Sequence, residues 1–68
     1  MRMRLIVGSK NLAVAKVGPD FIVLKEPAHL KPSHAELVVE IDGIEDRSSI
    51  FLPDGVSASD ERTRIAHA

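Results

Sequence analysis

The sequence predicts an all-β domain: a small antiparallel curled sheet or open barrel of five to six strands. Three observations carry that expectation. The apolar set is rich in Val, Ile and Leu, with Phe21 and Phe51 as its two aromatics, and branched aliphatics favour a pleated surface over a helix. Several runs alternate apolar and polar residues with a period of two, the period of a strand covered on one face. Between the runs stand Gly, Pro, Asn and Asp clusters that turn the chain at short intervals.

Residues 1–25 read as a three-stranded meander. In Met1-Arg2-Met3-Arg4-Leu5-Ile6-Val7, the residues Met1, Met3, Leu5 and Val7 share one face and Arg2 and Arg4 the other. Gly8-Ser9-Lys10-Asn11 is a four-residue turn cluster, and Leu12 to Val17 resumes an extended pattern, so the two runs form a hairpin. Ala13 and Ala15 are small, which suggests close approach by something lying over them. Gly18-Pro19-Asp20 turns the chain again. Phe21-Ile22-Val23-Leu24 is apolar on both faces, as expected of a central strand.

Residues 26–35 hold Pro27 and Pro32, each lacking a backbone donor, and read as a crossover loop anchored by Leu30. Residues 36–52 give the clearest hairpin. Leu37, Val39 and Ile41 fall on one face, Glu36, Glu40 and Asp42 on the other, and Asp42-Gly43 is the strongest short turn signal there is. A two-residue loop would set Glu40 opposite Glu45, a like-charge pair costing up to ~1 kcal/mol. A four-residue loop, Asp42 to Glu45, instead sets Glu40 opposite Arg47 and Leu37 opposite Ile50, and this register is the expected one. Phe51 then falls on the Glu36 face. In residues 53–68, Pro53-Asp54-Gly55 is a turn. Ser57-Ala58-Ser59-Asp60 resembles a helix cap without the apolar repeat to dock a helix. Arg62 to Ile65 alternates as a short edge strand with a frayed end beyond. The expected core is Leu5, Val7, Phe21, Val23, Leu37, Val39 and Ile41.

A 68-residue chain has room for one domain and buries only about 60% of its unfolded surface, so a partner or second copy would add needed stability. With no cysteine there is no disulfide staple and no thiolate metal site. No uninterrupted apolar run exceeds four residues, as at Phe21 to Leu24, too short for a membrane span or a signal-peptide core. The expectation is a soluble, cytoplasmic protein that uses no cofactor and no membrane.

Few chemical constellations rise above this background. His29 and His34, five apart in a proline-interrupted loop, match no metal-ligand spacing, and His67 is remote in sequence. Ser33-His34 and Ser48-Ser49 are neighbours that a strand would point to opposite faces, with no strained nucleophile turn in sight. Gly8-Ser9-Lys10 lacks the earlier glycine of a phosphate loop. Asp46-Arg47-Ser48 is similar to the start of the Asp-x-Ser-x-x-Gly motif of the cyclic-dinucleotide-binding PilZ domains. That resemblance covers three residues, Phe51 stands where the motif has glycine, and the paired arginines upstream are absent, so it implies no ligand here.

Charge is the remaining signal. Over residues 1–35, six Lys or Arg oppose two acids, a balance of +4, whereas over residues 36–61 Arg47 alone opposes eight acids, a balance of −7. Basic and acidic strands of one sheet can interleave their side chains, and that intramolecular pairing is the expected default. The sharper expectation is a non-catalytic protein-interaction module whose partner face holds Glu36, Glu40, Glu45, Asp46 and Arg47. It would bind a larger protein or a second copy of itself, as a homodimer. The alternative is a small regulatory protein touching nucleic acid through Arg2, Arg4, Arg62 and Arg64, should the first and last strands adjoin. A net charge of −1 and two aromatics in core-like positions weigh against nucleic acid.

Overall fold

In the computed structural model, which describes residues 1–59 and 61–67, the opening alternation forms β1 (Arg2–Val7) and β2 (Lys10–Val17). Val7 pairs with Lys10, so the turn is the two residues Gly8 and Ser9 rather than the expected four. Gly8 supplies the positive φ of 60° that so tight a turn needs. β3 (Phe21–Leu24) pairs antiparallel with β2 across a bulge between Val14 and Lys16, where the extra residue bends the strand. Then come β4 (Ser33–Ile41), β5 (Ile44–Leu52), β6 (Thr63–Arg64) and β7 (Ala66–His67). Every helix or strand among the described residues is a strand.

The strand order β6-β3-β2-β1-β4-β5-β7 puts at the two ends of the sheet two elements that Ile65 alone separates in sequence. Thr63 and Arg64 pair with β3, Ala66 and His67 pair with β5, and the Ile65 amide donates to the Asp20 carbonyl at 2.9 Å. Five residues therefore join both ends, and the antiparallel sheet is nearly closed into a barrel. Alternation runs from Thr63 to Ala66: Thr63 and Ile65 are buried, Arg64 and Ala66 exposed. The expected edge strand is thus the closing element, and the expected fraying at Ala66 and His67 gives way to pairing. The closing segment covers part of two edges that would otherwise be open, at Phe21 and Ile22 of β3 and at Ile50 and Phe51 of β5.

The main hairpin departs from its expected register. Asp42 (φ 52°) and Gly43 (φ 82°) both have positive φ, the signature of a two-residue I′ turn whose twist matches that of the flanking strands. Glu40 consequently faces Glu45, Val38 faces Arg47 and Ala35 faces Ile50. The like-charge penalty exists, but two arginines answer Glu45, as shown below, so the turn geometry wins. The crossover is also shorter than residues 26–35, because β4 starts at Ser33. Leu30 anchors it as expected: Leu30 and Val56 exchange backbone hydrogen bonds of 2.8 and 2.9 Å, and Leu30 is half-buried against the core. Ser57 Oγ lies 3.0 Å from Ser59 Oγ in the stretch that resembles a helix cap; the acid of that resemblance, Asp60, falls outside the described residues, as does Ala68.

The core consists of Leu5, Val14, Ile22, Leu37, Ile50, Leu52, Val56 and Ile65. Of the expected set, Leu5 and Leu37 are inside, and Val7 and Val39 are partly buried against them. Phe21 and Val23 lie on the outer face, because Ile22 between them is the residue that points inward. Ile41 is 52% exposed, since β4 runs past the end of the barrel. Ala13 and Ala15, expected to be covered, are bare.

Candidate interaction surfaces

On the outer face of β1, β4 and β5, the register places Arg4, Val38 and Arg47 in one row and Arg2, Glu40 and Glu45 in the next. Arg4 Nη2 donates to Glu45 Oε1 at 3.0 Å. Arg47 donates to Glu36 Oε1 at 2.6 Å and, through Nη2, to Glu45 Oε2 at 3.2 Å. Val38, 1% exposed, lies outside the main core, between the two arginines whose stems can cover an apolar neighbour while their heads stay wet. Of the expected partner face, Glu36, Glu45 and Arg47 are thus brought together, with Arg4 added. Glu40 shares the face, and Asp46 lies on the opposite one, beside Val39. Intramolecular pairing of a basic strand with an acidic hairpin is realised here.

The hydrogen bond from Arg47, then the one from Arg4, hold the Glu45 carboxyl below its ordinary value of 4.5. The hydrogen bond to Glu36, then that to Glu45, raises Arg47 above its ordinary range. A carboxyl whose pKa falls on folding stabilises the fold above its unfolded pKa, and that contribution disappears as pH drops through the folded value. Arg47, raised on folding, contributes wherever the unfolded arginine is protonated, which includes all acid and neutral pH, so only the Glu45 effect appears in mild acid. The melting temperature should therefore decline as pH falls below 4.5, and Glu45→Gln should decline less steeply in circular dichroism melts. Because the cluster is exposed, the difference should be small and should shrink further in high salt.

The four arginines of the alternative reading are not assembled. β1 and β6 are separated by β2 and β3 in one direction and by β4, β5 and β7 in the other. Arg62 stacks on the Phe21 ring, with its guanidinium carbon 4.7 Å from the centroid, and Arg64 lies 3.8 Å from Asp54. The histidines are dispersed too: His34 packs on Phe51 with ring centroids 4.9 Å apart, His67 Nε2 lies 3.3 Å from the Pro19 carbonyl, and His29 is exposed in the crossover. Phe51 is accordingly half-buried on the outer face, as its position on the Glu36 side implied.

Two features of the hairpin end were not read from the sequence. Ile41 and Ile44, paired across the turn, are 52% and 74% exposed, and the register carried one residue beyond Arg2 and Glu40 sets Met1, 81% exposed, beside Ile41. The signal was present, in isoleucines flanking a turn that no other apolar run reaches. Secondly, β5 pairs with β7 only at Ile50 and Phe51, so the outer edge of residues 44–49 has no strand on it among the described residues. No helix among them is long and apolar enough to cross a membrane. No protein-family model, no curated protein and no solved structure matches this chain.

Proposed function

We propose that this protein is a non-catalytic interaction module that associates with a second copy of itself or with a larger protein through the projecting β4–β5 hairpin. The observation that supports this reading is the exposed row of Met1, Ile41 and Ile44 beside the open edge of residues 44–49. Contiguous apolar side chains in water are costly in a chain this small, and an open strand edge is ready to pair. The simplest assembly is a homodimer, in which one hairpin covers another.

Sedimentation equilibrium at high micromolar concentration tests this. A dimer is expected, and Ile41→Ser/Ile44→Ser should return it to monomer without unfolding, since both side chains are exposed. An apolar contact should be nearly indifferent to salt, whereas a contact between the basic half of one copy and the acidic hairpin of the other should weaken as salt rises. A wild-type chain that stays monomeric at low and high salt would remove self-association and leave a separate protein as the only partner for the hairpin.

A further inference from the structure

The β1–β2 ladder stops at the pair Arg4 and Ala13. Beyond it Arg2 and Met3 pair only with β4, and Val14, Lys16 and Val17 only with β3. The two strands part, and an opening of about 620 Å³ lies between them. Its lining mixes core-side residues, Met3 and Val14, with outer-face residues, Arg4 and Ala13.

We propose that this gap binds an extended acidic polypeptide segment, which enters as an added strand between β1 and β2. The inference rests on the reading of the protein as an interaction module and names a second surface, with its own class of partner. Three features converge. Both walls are strand edges with no ladder partner among the described residues, so their backbone groups offer the hydrogen bonds that recognise a main chain. Arg2 and Lys25 line the gap together with Arg4, whose Nη2 is held by Glu45, and no carboxylate among the described residues does. Ala13 and Ala15 are small and exposed, leaving room for a backbone to approach. The volume falls within the roughly 300–1,000 Å³ of ordinary ligand sites.

A free segment fits this gap better than the hairpin of a second copy. The acidic residues Glu45 and Asp46 lie on β5, one edge of which is occupied by β4 along its whole length. Such a strand can satisfy one wall only. A segment with both edges free satisfies two.

The test uses three soluble probes added to the whole chain labelled with ¹⁵N: a blocked peptide alternating glutamate and valine, its lysine counterpart, and a glutamate peptide with proline in place of every valine. The alternating glutamate peptide should shift the amides of Arg2, Met3 and residues 14–16 and slow their exchange with solvent. Its affinity should fall as salt is raised, and Arg2→Gln/Lys25→Gln should weaken it about tenfold, with the amide spectrum otherwise that of the folded protein. Neither control peptide should bind, since lysine reverses the charge and proline cannot donate. The proposal is overturned if the lysine or proline peptide binds equally well, if the shifts lie elsewhere, or if no peptide binds. A chain that dimerises through its hairpin yet ignores all three peptides overturns the gap alone and leaves the module; a chain that does neither overturns the gap and self-association together and leaves a separate protein as the partner of the hairpin.

Discussion

Gly55→Val should be the most damaging single change outside the core, costing about 3 kcal/mol or more. Gly55 has a φ of +65°, and a Cβ there would collide with the Leu30 carbonyl and crowd the backbone of Lys31 and Pro32. Two penalties therefore add: the left-handed conformation that a β-branched residue tolerates poorly, and the displacement of the Leu30–Val56 bridge that ties the crossover to the core. A chain of 68 residues has roughly 3–10 kcal/mol in total. The comparison that isolates the second penalty is Gly43→Val, where φ is +82° and nothing lies within 4 Å of the added Cβ; about 1 kcal/mol is expected there. Urea titrations of both variants measure the difference. Equal losses would mean that the bridge yields at no cost.

Leu5→Ala should lose about 2–5 kcal/mol, enough to leave the protein largely unfolded at moderate temperature. Leu5 is completely buried on the central strand, between Leu12 of β2 and Leu37 of β4. The truncation opens a cavity under three strands that closure of the barrel prevents from collapsing freely. Ile41→Ala, at a position of similar hydrophobicity in the same expected core, should change stability by no more than about 0.5 kcal/mol, because Ile41 is already in water. Thermal melts at low protein concentration give both values. If Ile41→Ala is costly there as well, the hairpin end is covered in the isolated chain.

The contrast between Leu5 and Ile41 shows how far periodicity reaches. Alternation assigned both to the covered face, correctly as regards direction, since Ile41 is on the same side of β4 as Leu37. Whether that face is covered at a given height depends on where the neighbouring strands end, a long-range property that a local pattern does not encode. Phe21 and Val23 failed for a related reason. In a strand apolar on both faces, alternation cannot say which set points inward, and Ile22 and Leu24 took the core side.

The candidate surfaces followed the same division. The opposing charges of the first half and the hairpin were visible in composition, and the cluster of Arg4, Glu36, Glu45 and Arg47 is their outcome. Its register was misread because the Glu40–Glu45 repulsion was weighed without Arg4, which arrives from a strand forty-one residues away in sequence. The four-arginine patch depended on β1 adjoining β6, and strand order is decided by which edges meet, not by the composition of either strand.

By itself the sequence determined the all-β class and the places of the first five strands and of the turns between them, though not the turn lengths or the seventh strand, because a period of two and turn chemistry act over a few residues. Asp42-Gly43 needed no distant partner to reverse the chain. Only the tertiary structure decided that residues 63–67 close the sheet, that β1 and β2 part beyond Arg4, and that Ile41 and Ile44 project into water. Each of these outcomes depends on how strands of unequal length and pairing meet around a common core, and so arises from contacts between residues remote in the chain.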